Sequence, residues 1–366
     1  MENKDITGEK FKVLSLFDGM SCGQIALNRA GIKYDNYFAS EIDKYAIQVT
    51  QANYPNTIQI GDVRNIIDLD LPKINMLIGG SPCQGFSFAG KQLNFEDPRS
   101  KLFFEFVRLK NELNPEVFLL ENVRMKKEHQ RVISDLLGVE PIEINSALVS
   151  AQSRRRLYWT NIKGIEQPND KGIYLKDILQ NEVDEKYYIS ENTANRARVQ
   201  TQIREKHQKS FCLAATMHKG AQSNGMTCVK MVGRRLDENG LRKDYSDNPV
   251  KQILEPAPEG KSNCLTTVEK DNLIFNRSGH PKKEQLKAAC LTVAGNSGGN
   301  HSDMDLINCR SALRRLTPIE CERLQTVPDN YTNFVSDTQR YKMLGNGWTV
   351  DVITHIFETW LKKKKQ

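Results

Sequence analysis

The chain has no apolar run long enough to cross a bilayer, and Met1–Lys10 is polar and charged. A membrane-spanning helix needs about 20 apolar residues, and a secretory signal peptide needs an apolar core near the N-terminus. The sequence therefore predicts a cytoplasmic protein with no membrane partner.

CxxC spacing is also absent, because no two of the eight cysteines are separated by two residues. Zinc sites and disulfide frameworks usually show such regular cysteine spacing. We therefore predict free thiols in a reducing compartment and no metal site.

A large excess of one charge is missing as well. The 52 Lys and Arg residues against 45 Asp and Glu residues give a formal net charge of +7. This surplus favours a polyanionic partner without proving one. Part of it lies in Lys362–Lys365, which we interpret as a solvated C-terminus.

What the chain does contain, over about its first 160 residues, is an alternation of short apolar runs and helical patterns. This alternation is typical of a parallel sheet with crossover helices. The clearest helix is Lys101–Leu113, which has an apolar face. The predicted strands are Phe11–Phe17, Tyr37–Ile42, Ile58–Val63, Asn75–Gly80, Glu116–Val123, Glu143–Val149 and Arg156–Ile162.

The middle of the chain, residues 163–310, is richer in Asn, Lys, Gly and Ser and has no long helical period. Three similar segments occur in it, each with a Cys-Leu pair, beginning at Phe211, Asn263 and Ala289. We interpret them as three edge strands of a small β-rich module whose cysteines are small buried side chains.

Helical signals return at Thr317, an expected N-cap followed by Pro318, and a last helix is predicted over Thr349–Lys362. The predicted fold class is therefore α/β, a Rossmann-like sheet with helices on both faces. Residues 1–162 and 311–366 would form one discontinuous catalytic domain, and residues 163–310 a smaller β-rich domain inserted into it.

The first three predicted strands end in residues that suit a nucleoside. The first runs through a glycine turn into a helix, where glycine lets the backbone approach a ligand. Glu41 ends the second strand, where it can accept hydrogen bonds from ribose hydroxyls, and Asp62 ends the third, where it can accept from the adenine amine. Because no GxGxxG pattern and no following Lys are present, we predict a ligand without a pyrophosphate.

Cys83 stands at a strand end, directly after a stiff proline and with glycines on both sides, in the segment Gly79–Ser87. Most lone cysteines are small buried residues. Here the flanking residues favour an exposed nucleophile, which reacts as the thiolate.

Two further segments bring charge to the same edge of the predicted sheet. Glu121 closes an otherwise apolar strand, where a carboxylate is costly unless it is paired or works as an acid. Strand alternation would send Arg154 and Arg156 to one side. Adjacent arginines are often only a solvated cluster, but beside Cys83 and Glu121 they would bind an acceptor oxygen and hold the carboxylate.

Together these motifs resemble those of the cytosine-C5 DNA methyltransferases. The similarity covers both flanks of the chain, and the motifs stand in the family's order. The segments that carry it are Pro82-Cys83-Gln84, Glu121-Asn122-Val123, Gln152 to Arg156, Arg315 to Gln325 and Gly345-Asn346.

The resemblance implies double-stranded DNA as the partner, S-adenosylmethionine as the cofactor, and a cytosine swung out of the duplex. Cys83 would add to C6 of the ring while Glu121 hydrogen-bonds or protonates N3. Arg156 would contact the base O2, and Arg154 would position Glu121. The methyl group would pass to C5, a base such as ordered water would remove the C5 proton, and Cys83 would leave.

The resemblance also implies which residues bind the cofactor. Phe17 would stack near the adenine, Glu41 would bind the ribose, and the C-terminal segment would close the site. The predicted set is Phe17, Asp18, Gly19, Met20, Glu41, Ile42, Asp62, Val63, Asn346 and Trp348.

Some positions depart from the usual bacterial pattern. The opening Leu16–Gly19 and the closing Tyr341–Trp348 resemble the eukaryotic de novo branch of the family. Because no long regulatory segment precedes them, we expect a bacterial or phage enzyme, nucleoid-associated, acting in restriction-modification or in DNA protection. A cognate restriction endonuclease would act separately. The expected Thr-Leu pair reads Cys290-Leu291, and Ala89 stands where a polar residue often fills the gap left by the flipped base.

Three alternatives have less support. A tRNA cytosine-C5 methyltransferase usually carries a late Cys-Phe-Thr signature, which is absent here. A non-catalytic DNA-binding protein on the same scaffold would have no reason to keep Cys83, Glu121 and Arg156 together. A nicotinamide oxidoreductase would need the missing glycine fingerprint.

Overall fold

The computed structural model describes residues 11–68, 71–81, 102–189, 201–204, 208–219, 226–236, 251–256 and 312–364, with the single positions 196 and 199. The chain divides into two compact units. The first comprises Met1–Ile173, Cys212–His218 and Cys321–Gln366, and the second comprises Tyr174–Phe211 and Lys219–Glu320.

A seven-stranded sheet forms the centre of the first unit. Its strands are Lys12–Leu16 (β1), Asn36–Ser40 (β2), Ile58–Gln59 (β3), Met76–Gly79 (β4), Val117–Val123 (β5), Ile142–Asn145 (β6) and Arg155–Thr160 (β7). Their order across the sheet is β3-β2-β1-β4-β5-β7-β6. The strands from β3 to β5 pair in parallel, whereas β7 runs antiparallel to both β5 and β6. The predicted α/β sheet is confirmed, with one antiparallel strand that the sequence did not indicate.

The described helices are Cys22–Arg29 (α1), Lys44–Asn53 (α2), Leu102–Leu113 (α3), Lys127–Leu137 (α4), Pro318–Leu324 (α5), Asp337–Asn346 (α6) and Val350–Lys364 (α7). The helices predicted over 101–113 and 349–362 are confirmed within two residues at each end. Helix α2 starts at its cap Asp43, whose side chain accepts from the backbone of Tyr45 at 3.0 Å. No helix within the described ranges has the length and apolarity needed to cross a membrane.

The core lies where apolar strands meet apolar helix faces. Leu14, Leu77 and Leu120 have no solvent exposure in the middle of the sheet, and neither do Phe103 and Phe106 of α3. Burying each such side chain contributes about 1.5–3 kcal/mol to the stability of the fold. Strands that are buried on both faces therefore consist almost entirely of apolar residues. Polar residues are therefore conspicuous where these strands end.

The second unit contains a four-stranded sheet formed by Ile203–Arg204 (β8), Cys228–Leu236 (β9), Lys251–Pro256 (β10) and Ala312–Arg315 (β11). Fully buried Arg314 and Glu320 form a two-pronged ion pair, with N–O distances of 2.8 and 2.7 Å. Glu320 also accepts from the Thr317 N–H at 2.8 Å, and Glu320 N donates to the Thr317 hydroxyl at 3.2 Å. The predicted cap at Thr317 is confirmed.

Some predicted strands differ from the structure. The first Cys-Leu segment, at Phe211, is irregular rather than a strand, and the segments at Asn263 and Ala289 lie outside the described residues. Strand β3 ends early because Gly61 takes a left-handed φ of +73° and a 3-10 helix follows. Strand β6 ends at Asn145, whose side chain accepts from Ala147 N at 3.1 Å and caps another 3-10 turn.

Candidate active site

The strand order of the large sheet reverses between β1 and β4, with β2 and β3 on one side and β5 and β7 on the other. Ligands of open α/β sheets bind outside the carboxyl ends of the strands at such a point. Leu16 at the end of β1 pairs with Gly79 at the end of β4, so these two ends lie side by side. The described site residues are arranged along this edge.

The turn after β1 has an alternating left-handed backbone. Phe17, Gly19 and Ser21 have φ values of 57°, 60° and 60°. For a non-glycine residue this conformation costs about 1–3 kcal/mol and persists only where surrounding bonds hold it. Two such residues in one five-residue turn make it a strained segment, and it is the segment predicted to receive the cofactor.

Hydrogen bonds to the neighbouring strand hold this turn. Asp18 N donates to Ser40 O at 3.2 Å. The carboxyl group of Asp18 is directed inward, where it accepts from Tyr37 Oη at 2.7 Å and from Ser21 Oγ. Burial raises the pKa of Asp18 to about 6, although the hydrogen bonds from Ser21 and Tyr37 oppose the shift. Met20 is also buried, so mainly backbone atoms remain at these two positions to contact a ligand.

Glu41, directly after β2, organises the next part of the edge. Its Oε2 accepts from Gly19 N at 2.8 Å, and its Oε1 accepts from the backbone N–H groups of Ile42 and Asp43, both at 2.8 Å. Beside this fixed carboxylate, Ile42 is 72% exposed. An exposed large aliphatic side chain next to an oriented carboxylate suits a ligand that combines an apolar face with hydroxyl groups.

Asp62 follows β3 and is paired with Arg64, whose Nε donates to its Oδ1 at 3.0 Å. The hydrogen bonds from Arg64 lower the pKa of Asp62. Val63 is 4% exposed and packs into the core, so its side chain is not available to a ligand in this structure.

The donor set at this edge fits an adenosine without a phosphate. Glu41 and Asp62 supply carboxylate acceptors for hydroxyl and amine groups, and Ile42 and Phe17 supply apolar surface. The charge of Arg64 is taken up by Asp62, so this guanidinium is not left to hold a phosphate. The residues therefore suit S-adenosylmethionine better than a dinucleotide.

Glu121 and Arg156 form an ion pair at the same edge. Because β7 is antiparallel to β5, it begins where β5 ends: Glu121 lies opposite Tyr158 and Val123 lies opposite Arg156. Residues two apart on a strand share a face, so Arg156 projects on the same face as Glu121. Its Nε donates to Glu121 Oε1 at 2.9 Å, and the two side chains are 13% and 11% exposed.

Arg154 has a different position from the one predicted. It precedes β7, and its backbone N–H is held by Asn145 Oδ1 at 3.0 Å. Its guanidinium donates to the carbonyl oxygens of Leu213 and Gly347, both at 2.9 Å, and of Gly345 at 3.2 Å. Arg154 therefore lies just outside the strand, although its guanidinium and that of Arg156 reach the same Cys212 sulfur. The prediction that Arg154 positions Glu121 is wrong. Arg156 makes that contact.

Cys83 lies outside the described residues, but the chain that leads to it is held against Glu121. Ser81 is buried, and its hydroxyl accepts from Asn122 Nδ2 at 3.1 Å. A Cβ at Gly80 would stand 2.8 Å from Trp348 Nε1 and 3.3 Å from Glu121 Oε2. Only glycine fits between these two side chains. Trp348 thus lies beside the carboxylate, whereas Asn346 is exposed at the end of α6.

Three residues of this site had no predicted role. Asn122 anchors Ser81, and fully buried Gln152 donates to Leu324 O at 2.8 Å and accepts from Leu213 N at 3.2 Å. Both stand in the motifs quoted above, but a bond to a residue distant in the chain leaves no local signal. Cys212, predicted to be an inert strand residue, has its sulfur 3.3 Å from Arg154 Nη1.

The sequence matches a family model described as C-5 cytosine-specific DNA methylase over residues 11–362. Among curated relatives, Type II methyltransferase M.NlaIV of Neisseria lactamica is 39% identical over 96% of this chain and 99% of its own length. Type II methyltransferase M1.ScrFI of Lactococcus lactis subsp. cremoris is 29% identical over 96% of this chain and 78% of its own. Orphan methyltransferase M.SPRI of Bacillus phage SPR is 27% identical over 98% and 100%.

Solved structures share the fold. The Entamoeba histolytica methyltransferase EhMeth superposes with a TM-score of 0.65 at 18% identity, covering 98% of this chain and 100% of its own. The S. pombe Dnmt2 methyltransferase gives a TM-score of 0.60 at 19% identity, covering 97% and 99%. At these identities the likeness supports the architecture alone.

The buried carboxyl group of Asp18 predicts a pH-dependent stability. Because the pKa of Asp18 is raised from 3.8 to about 6, its protonated form stabilises the fold at low pH, and this contribution is lost as the pH rises towards and past 6. Asp18→Asn removes the titration. The free energy of unfolding of the variant, minus that of the wild type, should rise by about 2–3 kcal/mol between about pH 4 and about pH 7 in urea titrations.

Asp43→Asn is the matched control for this experiment. At Asp43 the hydrogen bond and charge of Lys342 outweigh partial burial and lower the pKa. This carboxyl group is therefore ionised in both the folded and the unfolded chain over most of that pH range, so the difference from the wild type should stay nearly constant. Equal slopes for the two variants would contradict the buried position of the Asp18 carboxyl group.

Proposed function

Because this chain belongs to the family of C-5 cytosine-specific DNA methylases, we propose that it transfers a methyl group from S-adenosylmethionine to C5 of a cytosine flipped out of duplex DNA, with Cys83 as the nucleophile. The observation that carries this proposal is the Glu121–Arg156 pair, held at 2.9 Å beside Gly80 at the start of the segment that leads to Cys83.

The cofactor would occupy the ends of β1, β2 and β3. When bound, it supplies an electrophilic methyl group on a sulfonium. Glu41 accepts hydrogen bonds from the ribose hydroxyls, and its fixed orientation by three backbone N–H groups means that little ordering is needed on binding. Asp62 takes the adenine amine once Arg64 yields one of its contacts, and Ile42 and Phe17 cover the base.

Glu121 and Arg156 would act on the flipped cytosine. Addition of the Cys83 sulfur to C6 forms an S–C bond and pushes electron density from the ring towards N3 and C5. Glu121 holds a proton at N3, and this stabilises the charge that develops there. Arg156 fixes the orientation of Glu121 and presents its remaining N–H groups to the base O2. After the methyl group has joined C5, loss of the C5 proton to a base expels the Cys83 sulfur.

The position of Cys83 two residues beyond Ser81 supports its role. Two residues of extended chain span at most about 7 Å, and Ser81 is tied to Asn122, the direct neighbour of Glu121. Only two residues of chain therefore separate Cys83 from a residue that is anchored beside Glu121.

Residues 163–310 would supply the DNA readout, through contacts of their Lys and Arg side chains to phosphates and of loop side chains to base edges. The relatives' names include both Type II methyltransferases and an orphan phage methyltransferase. We therefore propose a role in restriction-modification or DNA protection, with any cognate endonuclease acting as a separate protein.

Methyl transfer from labelled S-adenosylmethionine to duplex DNA and to total tRNA tests the function. The full-length chain should label duplex DNA, and Cys83→Ala should abolish this labelling while still binding the cofactor. Cys228→Ala, which removes a buried thiol of the second unit, is the control and should keep its activity. Labelling of tRNA but not of DNA would contradict the assignment of duplex DNA as the substrate. An active Cys83→Ala variant would contradict the role of Cys83 as the nucleophile.

Glu121→Gln tests the proton held at N3. The amide keeps the shape of the side chain but cannot deliver the proton, so kcat should fall by about two to four orders of magnitude while the KM for the cofactor changes little. Glu143→Gln is a suitable control, because Glu143 pairs with Arg124 and Arg155 on the exposed edge of the sheet. A loss in Glu121→Gln below tenfold would assign Glu121 a purely structural role.

A further inference from the structure

A second cysteine lies next to the proposed catalytic carboxylate. Cys212 begins the segment Cys212–His218, which belongs to the first unit although it is distant from the catalytic motifs in sequence. The backbone of Ala214 and Ala215 passes so close to Gly345 that a Cβ there would collide with it. This contact fixes the segment against the end of α6.

The sulfur of Cys212 contacts both arginines of the site. It lies 3.3 Å from Arg154 Nη1 and 3.6 Å from Arg156 Nη2. Arg156 in turn donates from Nε to Glu121 at 2.9 Å. One guanidinium therefore connects the Cys212 sulfur to the carboxylate that would act on the base.

Two guanidinium groups at the Cys212 sulfur favour its ionised form. Arg154 is only 3% exposed, and in the part of the chain that the structure describes its guanidinium is bonded to carbonyl oxygens and to the Cys212 sulfur, with no carboxylate partner. Two cations, Arg154 and Arg156, thus meet at this sulfur, and the described carboxylate among these groups, Glu121, pairs with Arg156. Buried charges are normally paired, and an ionised Cys212 supplies a negative charge beside Arg154.

Other titratable groups near these arginines do not supply a negative charge. Burial raises the pKa of Tyr158 well above its usual value, so its hydroxyl stays neutral. Burial also raises the pKa of Cys22, which interacts electrostatically with Arg154, to about 12. For Cys212 burial acts in the same direction, but the two arginines outweigh it and the pKa is lowered.

We propose that Cys212 is a positioning residue for methyl transfer, a thiolate that accepts hydrogen bonds from Arg154 and Arg156 and thereby holds Arg156 against Glu121. The proposal rests on the proposed function of Glu121 and Arg156. When protonated, the thiol instead donates to Leu213 O, which lies 3.4 Å away, and Arg156 loses its second anionic partner. Methyl transfer then slows because Glu121 is less well fixed.

The ionisation of Cys212 is measured without any activity assay. The ultraviolet absorbance of thiolate is compared between the full-length Cys83→Ala chain and the Cys83→Ala/Cys212→Ser chain. The difference should titrate as one thiolate that disappears on acidification, with a midpoint below the usual value of about 8.5, which the chain unfolded in guanidinium should show. A midpoint in the folded chain that equals or exceeds the one in the unfolded chain overturns the proposal.

The effect on the reaction is read from kcat for the wild type and for Cys212→Ser, which keeps the size of the side chain and loses its charge. At mildly alkaline pH the kcat of the wild type should be about ten times that of Cys212→Ser, as expected for one charge-assisted hydrogen bond. The KM for the cofactor should be unchanged. Serine is neutral throughout, so the ratio should fall towards one as the pH drops through the pKa of Cys212. Titrations shared by both enzymes cancel in the ratio.

The outcomes separate this proposal from the function on which it rests. A ratio that is independent of pH, or equal to one throughout, removes the positioning role of Cys212 and leaves the methyltransferase mechanism intact. An inactive wild type would remove the proposed function, whereas the thiolate absorbance would still report whether Cys212 is ionised.

Discussion

The site depends on one ion pair, between Glu121 near the end of β5 and Arg156 near the start of β7. A carboxylate at the end of an apolar strand is stable only when it is paired, and it is useful only if its oxygens keep a fixed direction. The antiparallel course of β7 meets both needs. It returns the chain to the edge where the parallel strands end and places the guanidinium on the face of the sheet that carries Glu121.

Further hydrogen bonds hold segments that are distant in sequence in place around this pair. Gln152 and Arg154, just before β7, bond to backbone atoms of Leu213, Leu324 and Gly347. Because each buried amide or guanidinium satisfies several backbone groups, the loss of any one leaves unpaired polar atoms, at about 1–3 kcal/mol each. The chemistry at Glu121 is thus coupled to parts of the chain that lie far away in sequence.

Sequence alone was sufficient to locate most strands of the sheet, since apolar periodicity and glycine turns are local signals, but not for the antiparallel course of β7. The place of Glu41 after β2 was predictable for that reason, and adjacent backbone N–H groups orient its carboxylate. Its contact with the cofactor stays a prediction. The contact of Arg156 with Glu121, which was predicted for Arg154, was not predictable, because strand alternation was assumed to extend one residue too far. Cys212 was also missed. Its importance comes from two guanidinium groups that only the fold brings to it.

The central claim is that the Cys83 sulfur forms a bond to C6 of an extruded cytosine. Duplex DNA in which fluorine replaces the C5 hydrogen of cytosine tests this directly, because after methyl transfer no proton can leave and the sulfur stays attached. With S-adenosylmethionine present, a covalent complex should form in which mass spectrometry locates the nucleotide on Cys83. No complex, or attachment to another residue, would contradict it.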